Sequence, residues 1–213
     1  MRRAIREEQK EERRQAIVDM AWQLFQERPY PEVNILDVAQ GVGLAKGTVY
    51  LYFPTKEELF LAVQVQQFTA WFDDIDGRLQ NLPENSSEEV VQAITDSLAA
   101  RPSLTRLFAI LHVILEQNIG YDTAVQFKRM LLDRIGVTGS LIESRLTFLE
   151  AGQGVQFLLR TYALVIGLQH MADPAPVVRE ALIREPELAI FSVNFSSELF
   201  TTLVTLLKGM QTE

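Results

Sequence analysis

Residues 35–54 read ILDVAQGVGLAKGTVYLYFP, and their spacing decides the fold. Ile35, Val38, Ala39 and Val42 recur at helical spacing, which predicts a short helix with one face turned inward. Gly43 follows where a chain leaving a helix takes positive φ at no steric cost. Leu44 and Val49 then place apolar side chains one and two turns further on, before Tyr50, Tyr52 and Phe53. A second helix is predicted over Ala45 to Tyr52. Ala39 is small enough to let two crossed helices approach, with a glycine and a β-branched residue at the following turns. This is the packing requirement of a helix-turn-helix, a unit that lays its second helix in the major groove of DNA.

Working outward, Ile17, Met20, Ala21, Leu24 and Phe25 predict an amphipathic helix from about Lys10 to Glu27, with Trp22 partly buried. Pro29 and Pro31 end it, because the residue before a proline is pushed out of the α region. Asn34 is a good N-cap for the helix that begins at Ile35. After Pro54, Thr55-Lys56-Glu57-Glu58 reads as a capping box opening a long helix through Leu59, Val63, Phe68 and Phe72 to about Gln80. The acidic cluster Asp73, Asp74 and Asp76 on that helix reads as a solvated face. Residues 1–14 alternate basic and acidic side chains. They fit a solvated helical extension, the simpler account, or a DNA-reaching arm through Arg2, Arg3 and Arg6.

The string GVGLAKGTVYLYFPTKEELF resembles the N-terminal signature of the TetR family of bacterial one-component regulators. The resemblance covers about residues 10–60; the remaining chain is similar in length and helical character only. It implies that Lys46, Thr48, Tyr50, Leu51 and Tyr52 lie on or beside the groove-facing side, with Lys56 at the start of the next helix. The chemistry agrees. A lysine neutralises phosphate or reads guanine, threonine bonds phosphate or a base edge, and tyrosine hydroxyls bond phosphate oxygens. Gly47 lets the backbone approach closely. Leu51 makes no hydrogen bond and offers only apolar contact, for instance with a thymine methyl. Tyr50, Tyr52 and Phe53 also fit a second role as core aromatics closing a three-helix domain, and for Phe53 that role is the expectation. One departure stands out: Ala45 occupies a position where the family usually has Ser or Thr, so a hydroxyl cap is missing.

The C-terminal part has no such motif. Helices are predicted at about 88–100, from Leu104 through Asn118, at about 122–149 with Gly136 and Gly139 as a bend or weak point, at 155–171 and at 191–209. Asp173-Pro174-Ala175-Pro176 starts a short helix ending near Pro186. Strand alternation is absent, and the expected fold is all-α. A three-helix DNA-binding domain over 1–56 is followed by a helical ligand-binding and dimerisation domain over 57–213. The helices at 155–171 and 191–209 are apolar on more than one face, so a core or a subunit interface must cover them. Leu164, Leu168, Phe195, Leu199, Leu203 and Leu206 are the expected dimer contacts. His112 and Glu116, one turn apart among Phe108, Leu111 and Leu115, form a polar pair in an apolar helix. Such a pair can orient a small molecule or simply satisfy itself in the core. Arg134, Tyr162 and Gln169 are further polar candidates. The family resemblance implies a ligand cavity in this region without assigning its residues.

Composition bounds the alternatives. The chain carries 20 Lys and Arg against 28 Asp and Glu, a net charge of −8. Residues 1–60 hold 9 basic and 10 acidic side chains, and residues 61–213 hold 11 and 18, so the acidic excess sits in the C-terminal part. DNA contact must therefore come from a few placed groups, not a general basic field. With no cysteine, disulfides, thiolate catalysis and cysteine zinc sites are excluded. No Walker, Rossmann, G-x-S-x-G or H-E-x-x-H pattern is present, and neither an enzyme nor a cofactor is expected. MRRAIREEQKEERR lacks the apolar core of a signal peptide, and the apolar runs are too short to span a bilayer, so a cytoplasmic protein without a membrane partner is expected. The expected partners are a double-stranded operator, an inverted repeat, a second copy of the chain and an unidentified small-molecule inducer. A constitutive DNA-binding protein, and a small-molecule binder or enzyme with a vestigial helix-turn-helix, remain open beside the repressor reading.

Overall fold

Every regular element is helical, and no strand occurs among the described residues. The computed structural model describes residues 2–211, with side chains from residue 7. The side chains of Arg2, Arg3 and Arg6, considered above as an arm, lie outside the described residues. The chain divides into two units, Met1–Gln67 with Ile110–Phe127, and Phe68–Ala109 with Lys128–Glu213.

In the first unit, α1 (Arg2–Glu27) buries Ile17, Val18, Ala21 and Phe25. It stops two residues before Pro29, as the proline requires. A 3-10 turn over Tyr30–Glu32 leads to α2 (Ile35–Gly41), whose N-cap Asn34 accepts a hydrogen bond from the Asp37 amide at 3.0 Å. Such a cap contributes about 1 kcal/mol. The turn out of α2 runs through Gly43 at φ +67°, and the Leu44 amide donates to the Ala39 carbonyl at 2.8 Å. α3 (Lys46–Tyr52) follows and buries Val49 beneath it, while Val38 and Ala39 are buried on α2. Phe53 is buried as expected, with the Arg14 guanidinium 5.0 Å over its ring.

α4 (Lys56–Gln80) begins with half of the predicted capping box. The Thr55 hydroxyl accepts from the Glu58 amide at 3.0 Å, but the Glu58 carboxylate accepts from the Gly120 amide at 3.1 Å instead of reaching back to Thr55. The Thr55 hydroxyl also donates to the Asn118 carbonyl at 3.0 Å. Residues 110–120 therefore belong with the start of α4, although they are distant in sequence.

The helix predicted from Leu104 through Asn118 is corrected. α6 (Pro102–Ile110) stops before His112, and after α5 (Ser87–Ala99) and α6 the next full helix is α7 (Tyr121–Arg145), with a 3-10 turn at Leu115–Asn118 between. The β-branched pair Val113-Ile114 is a weak helix former at the break. Carbonyls released by the break find side-chain donors: Gln117 donates to His112 at 2.9 Å, and Thr55 to Asn118.

In the second unit, α7 is continuous through Gly136 and Gly139. Gly139 has a packing role. It is the place where the backbone meets α8 (Gln153–Ala172), because a Cβ there would lie 2.8 Å from the Val155 amide nitrogen. α8 opens after Gly152 at φ +90°, and the Glu143 carboxylate accepts from the amides of Gly152 and Gly154 at 2.8 and 2.9 Å. That supplies the cap no residue of α8 provides. α9 (Pro176–Arg184) and a 3-10 helix (Pro186–Phe191) precede α10 (Phe195–Met210), which packs on α5 and α8. α10 buries Leu199, Leu203, Leu207 and Met210, one continuous face. No helix of the described residues is long and apolar enough to cross a membrane.

Candidate nucleic-acid interface

The outward side of α3 is built on a single buried anchor. Val49 is fully buried, and the residues around it are presented as a consequence. Lys46, Gly47, Tyr50 and Leu51 are exposed, with Thr48 and Tyr52 half-buried. Lys46 sets its ammonium 5.9 Å over the Tyr50 ring, so the two long side chains hold one another. The hydroxyls of Thr48, Tyr50 and Tyr52 carry no hydrogen bond within the described residues. Ala45 stands at the N-cap in extended conformation with no side-chain bond, so the missing hydroxyl is not replaced by another side chain. Only a backbone bond, Thr48 amide to Ala45 carbonyl at 2.9 Å, closes the first turn. Nearby, Arg28 bonds Asp37 of α2 at 2.9 Å and fixes the start of that helix against the end of α1.

Lys56, expected beside DNA, has partners within the chain. Its ammonium donates to the Tyr30 carbonyl and stands 3.9 Å over the Tyr30 ring. Burial depresses its pKa below the usual lysine range, against the upward pull of Glu57. The Tyr30 hydroxyl in turn donates to Glu57 at 2.9 Å, and burial together with that carboxylate pushes its pKa far up. In the DNA-free chain Lys56 is thus a member of a Lys56–Tyr30–Glu57 network, which already engages the ammonium expected beside DNA.

The polar residues singled out in the C-terminal part do not form one constellation. His112 and Glu116 do bond, at 2.9 Å, but on the turn and 3-10 segment after α6 in the first unit, with the histidine exposed. Phe108 and Tyr162 adjoin in the second unit, rings 5.5 Å apart, with Phe68 stacked on Phe108 at 4.5 Å. Arg134 is held by Asp73 at 2.6 Å and by Asp76 at 3.4 Å, and lies 5.5 Å over the Phe72 ring. Thr138 also donates to Asp76, at 2.6 Å. The acidic cluster is therefore not simply a solvated face. Burial alone would raise the Asp74 pKa, yet Arg78 and Arg101, both bonded to it, bring it below the usual carboxylate range. Gln169 accepts from Thr105 at 2.6 Å.

Among the expected dimer contacts, Leu164, Leu168, Phe195 and Leu206 are half-exposed. Leu199 and Leu203 are corrected: both have 0% of their surface exposed within one chain, so they belong to its own core. The outer face of α8 carries further apolar residues beside that expected set, with Leu159 and Ala163 exposed and Ile166 half-buried. Their spacing of four and three residues places them on one face of α8, a signal the sequence carries.

An all-helical chain with an outward-facing second helix on a helix-turn-helix defines a DNA-binding class of protein. Residues 17–63 match the bacterial regulatory proteins of the tetR family, and residues 65–213 match the tetracyclin repressor-like C-terminal domain. The chain belongs to the TetR family. It is 32% identical over 78 residues to the HTH-type transcriptional regulator EthR of Mycobacterium tuberculosis, covering 37% of this chain and 34% of that protein. The chain spans less than half the length of the sequence relatives it matches. Its fold is similar to the fatty acid degradation regulator FadR of Bacillus halodurans, with a TM-score of 0.57 at 17% identity over 91% of this chain and 93% of that one. FadR of Bacillus subtilis, crystallised with stearoyl-CoA, gives 0.54 at 16% identity over 89% and 97%.

Proposed function

We propose that the chain is a sequence-specific DNA-binding transcriptional repressor that acts as a homodimer on an inverted-repeat operator and is released by a small molecule. The observation that carries this reading is α3, which exposes Lys46, Gly47, Tyr50 and Leu51 around a fully buried Val49. One α3 offers too few contacts for specific binding, so two heads act together on half-sites roughly 34–36 Å apart. The outer face of α8, with Leu159, Ala163 and Ile166, joined by Leu206 of α10, is the proposed dimer surface. The inducer acts only to the extent that it binds the DNA-incompetent state more tightly.

Selection of bound DNA from a random pool tests the reading. An enriched inverted repeat is expected, and its absence at low salt defeats the proposal. Lys46→Ala is expected to weaken binding about uniformly across sequences and to reduce the salt slope by about 1 per head. Gly47→Ala separates stability from binding. A Cβ at Gly47 meets nothing within 4 Å, so the free protein is expected to gain about 0.5–1 kcal/mol of helix stability. Its DNA affinity is expected to fall roughly tenfold, because the added methyl keeps the backbone off the duplex.

A second reading, constitutive DNA binding with no inducer, is favoured by two observations: Phe108 is 2% exposed, and Arg134 is already paired with Asp73 and Asp76. Melting with a panel of acyl thioesters and aromatic acids distinguishes them. A ligand at 100 times its Kd adds about 2.7 kcal/mol to the native state, whereas a filled core leaves the transition unmoved.

A further inference from the structure

Leu51 is the penultimate residue of α3 with 82% of its surface exposed, one turn after Gly47 and Thr48 and between Tyr50 and Tyr52 in the chain. It is not part of the core, to which α3 contributes the fully buried Val49. One turn earlier, Gly47 leaves an open notch, with nothing within 4 Å of where its Cβ would be. The ridge of α3 is therefore a notch followed by an apolar knob, in a ring of hydrogen-bonding groups. Resting on the DNA-binding reading above, we propose that Leu51 is a specificity-determining residue, burying its isobutyl group against the C5-methyl of a thymine in each half-site. A leucine cannot bond a base edge, so its discrimination must come from shape and apolar burial. The thymine methyl is the one apolar group that the bases present in the major groove. Lys46, Thr48 and the tyrosines supply phosphate and hydrogen-bonding contacts, and Leu51 adds a preference none of them can provide.

The test uses the full chain and its selected operator. Each thymine is replaced, symmetrically in both half-sites, by deoxyuridine, which removes the methyl and leaves base pairing intact. At the position read by Leu51, affinity is expected to fall roughly 4-fold per methyl and about 15-fold for the symmetric pair, the size of one buried methyl group at each site. In Leu51→Ala the same replacement is expected to cost less than about 2-fold, because the partner of the methyl is gone. Since Leu51 is exposed, this variant is expected to melt within about 2 °C of the parent. An enriched operator with no uracil-sensitive position, or one whose sensitivity survives Leu51→Ala, overturns the Leu51 assignment and leaves the repressor reading standing. A pool that yields no enriched repeat overturns both.

Discussion

Gly154→Ala is expected to lower the melting temperature by roughly 6–12 °C, from about 3 kcal/mol lost at 2–4 °C per kcal/mol in a chain of this size. A Cβ at residue 154 would lie 2.1 Å from the Gly139 carbonyl oxygen and 2.8 Å from its carbonyl carbon. Both obstructing atoms are backbone, so no rotamer change relieves the clash, and α7 and α8 must part. Parting them also lengthens the 2.9 Å bond from the Gly154 amide to Glu143, the carboxylate that caps α8. Gly136 is the control. It lies one turn before Gly139 on α7, and a Cβ there meets nothing within 4 Å. Gly136→Ala is therefore expected to raise the transition by roughly 1–4 °C, through the smaller entropy of the unfolded chain. Thermal melts followed by circular dichroism read both. If the two variants melt together, the close approach of the helices is not what Gly154 is for.

These two glycines show where a sequence stops being informative. Gly136 and Gly139 look alike within one helical pattern, and only the position of α8 makes one of them indispensable. The helix-turn-helix was legible because its determinants are local: Asn34 caps within three residues, Gly43 turns at φ +67°, and Val38, Ala39 and Val49 are buried at the expected spacing. The charged side chains were not. Lys56 at the start of α4 donates to the backbone carbonyl of Tyr30, 26 residues earlier. Glu58 abandons the capping box for an amide 62 residues away. His112 and Glu116 were expected on a helix that ends at Ile110, although they still bond each other. Lys56 and Glu58 each take a partner that only the tertiary fold supplies, whereas the His112–Glu116 pair is local and survives the loss of the helix. Apolar periodicity shares that limit, since a leucine stripe says that something covers it without saying what.

That ambiguity decides the last experiment, because α8 and α10 carry two stripes with opposite fates. Ala163→Arg is expected to leave the fold intact and convert the proposed dimer to a monomer, with operator affinity falling by about 10²–10⁴. Residue 163 is exposed on α8, so an arginine there is hydrated in the single chain and costs it little. In the proposed dimer the same charge would be buried without a partner, at about 3–5 kcal/mol. Leu203→Ala makes the opposite prediction. Leu203 is fully buried in its own chain, and its truncation is expected to cost about 2–5 kcal/mol of stability while the folded protein still dimerises. Light scattering on both variants, beside their melting curves, separates an interface from a core. A dimeric Ala163→Arg would move the subunit contact off the outer face of α8. A monomeric Leu203→Ala with an unchanged transition would show that α10 turns outward in solution. With the expected pair of results, the loss of DNA binding in Ala163→Arg measures what the second head contributes, since nothing in either α3 has been touched.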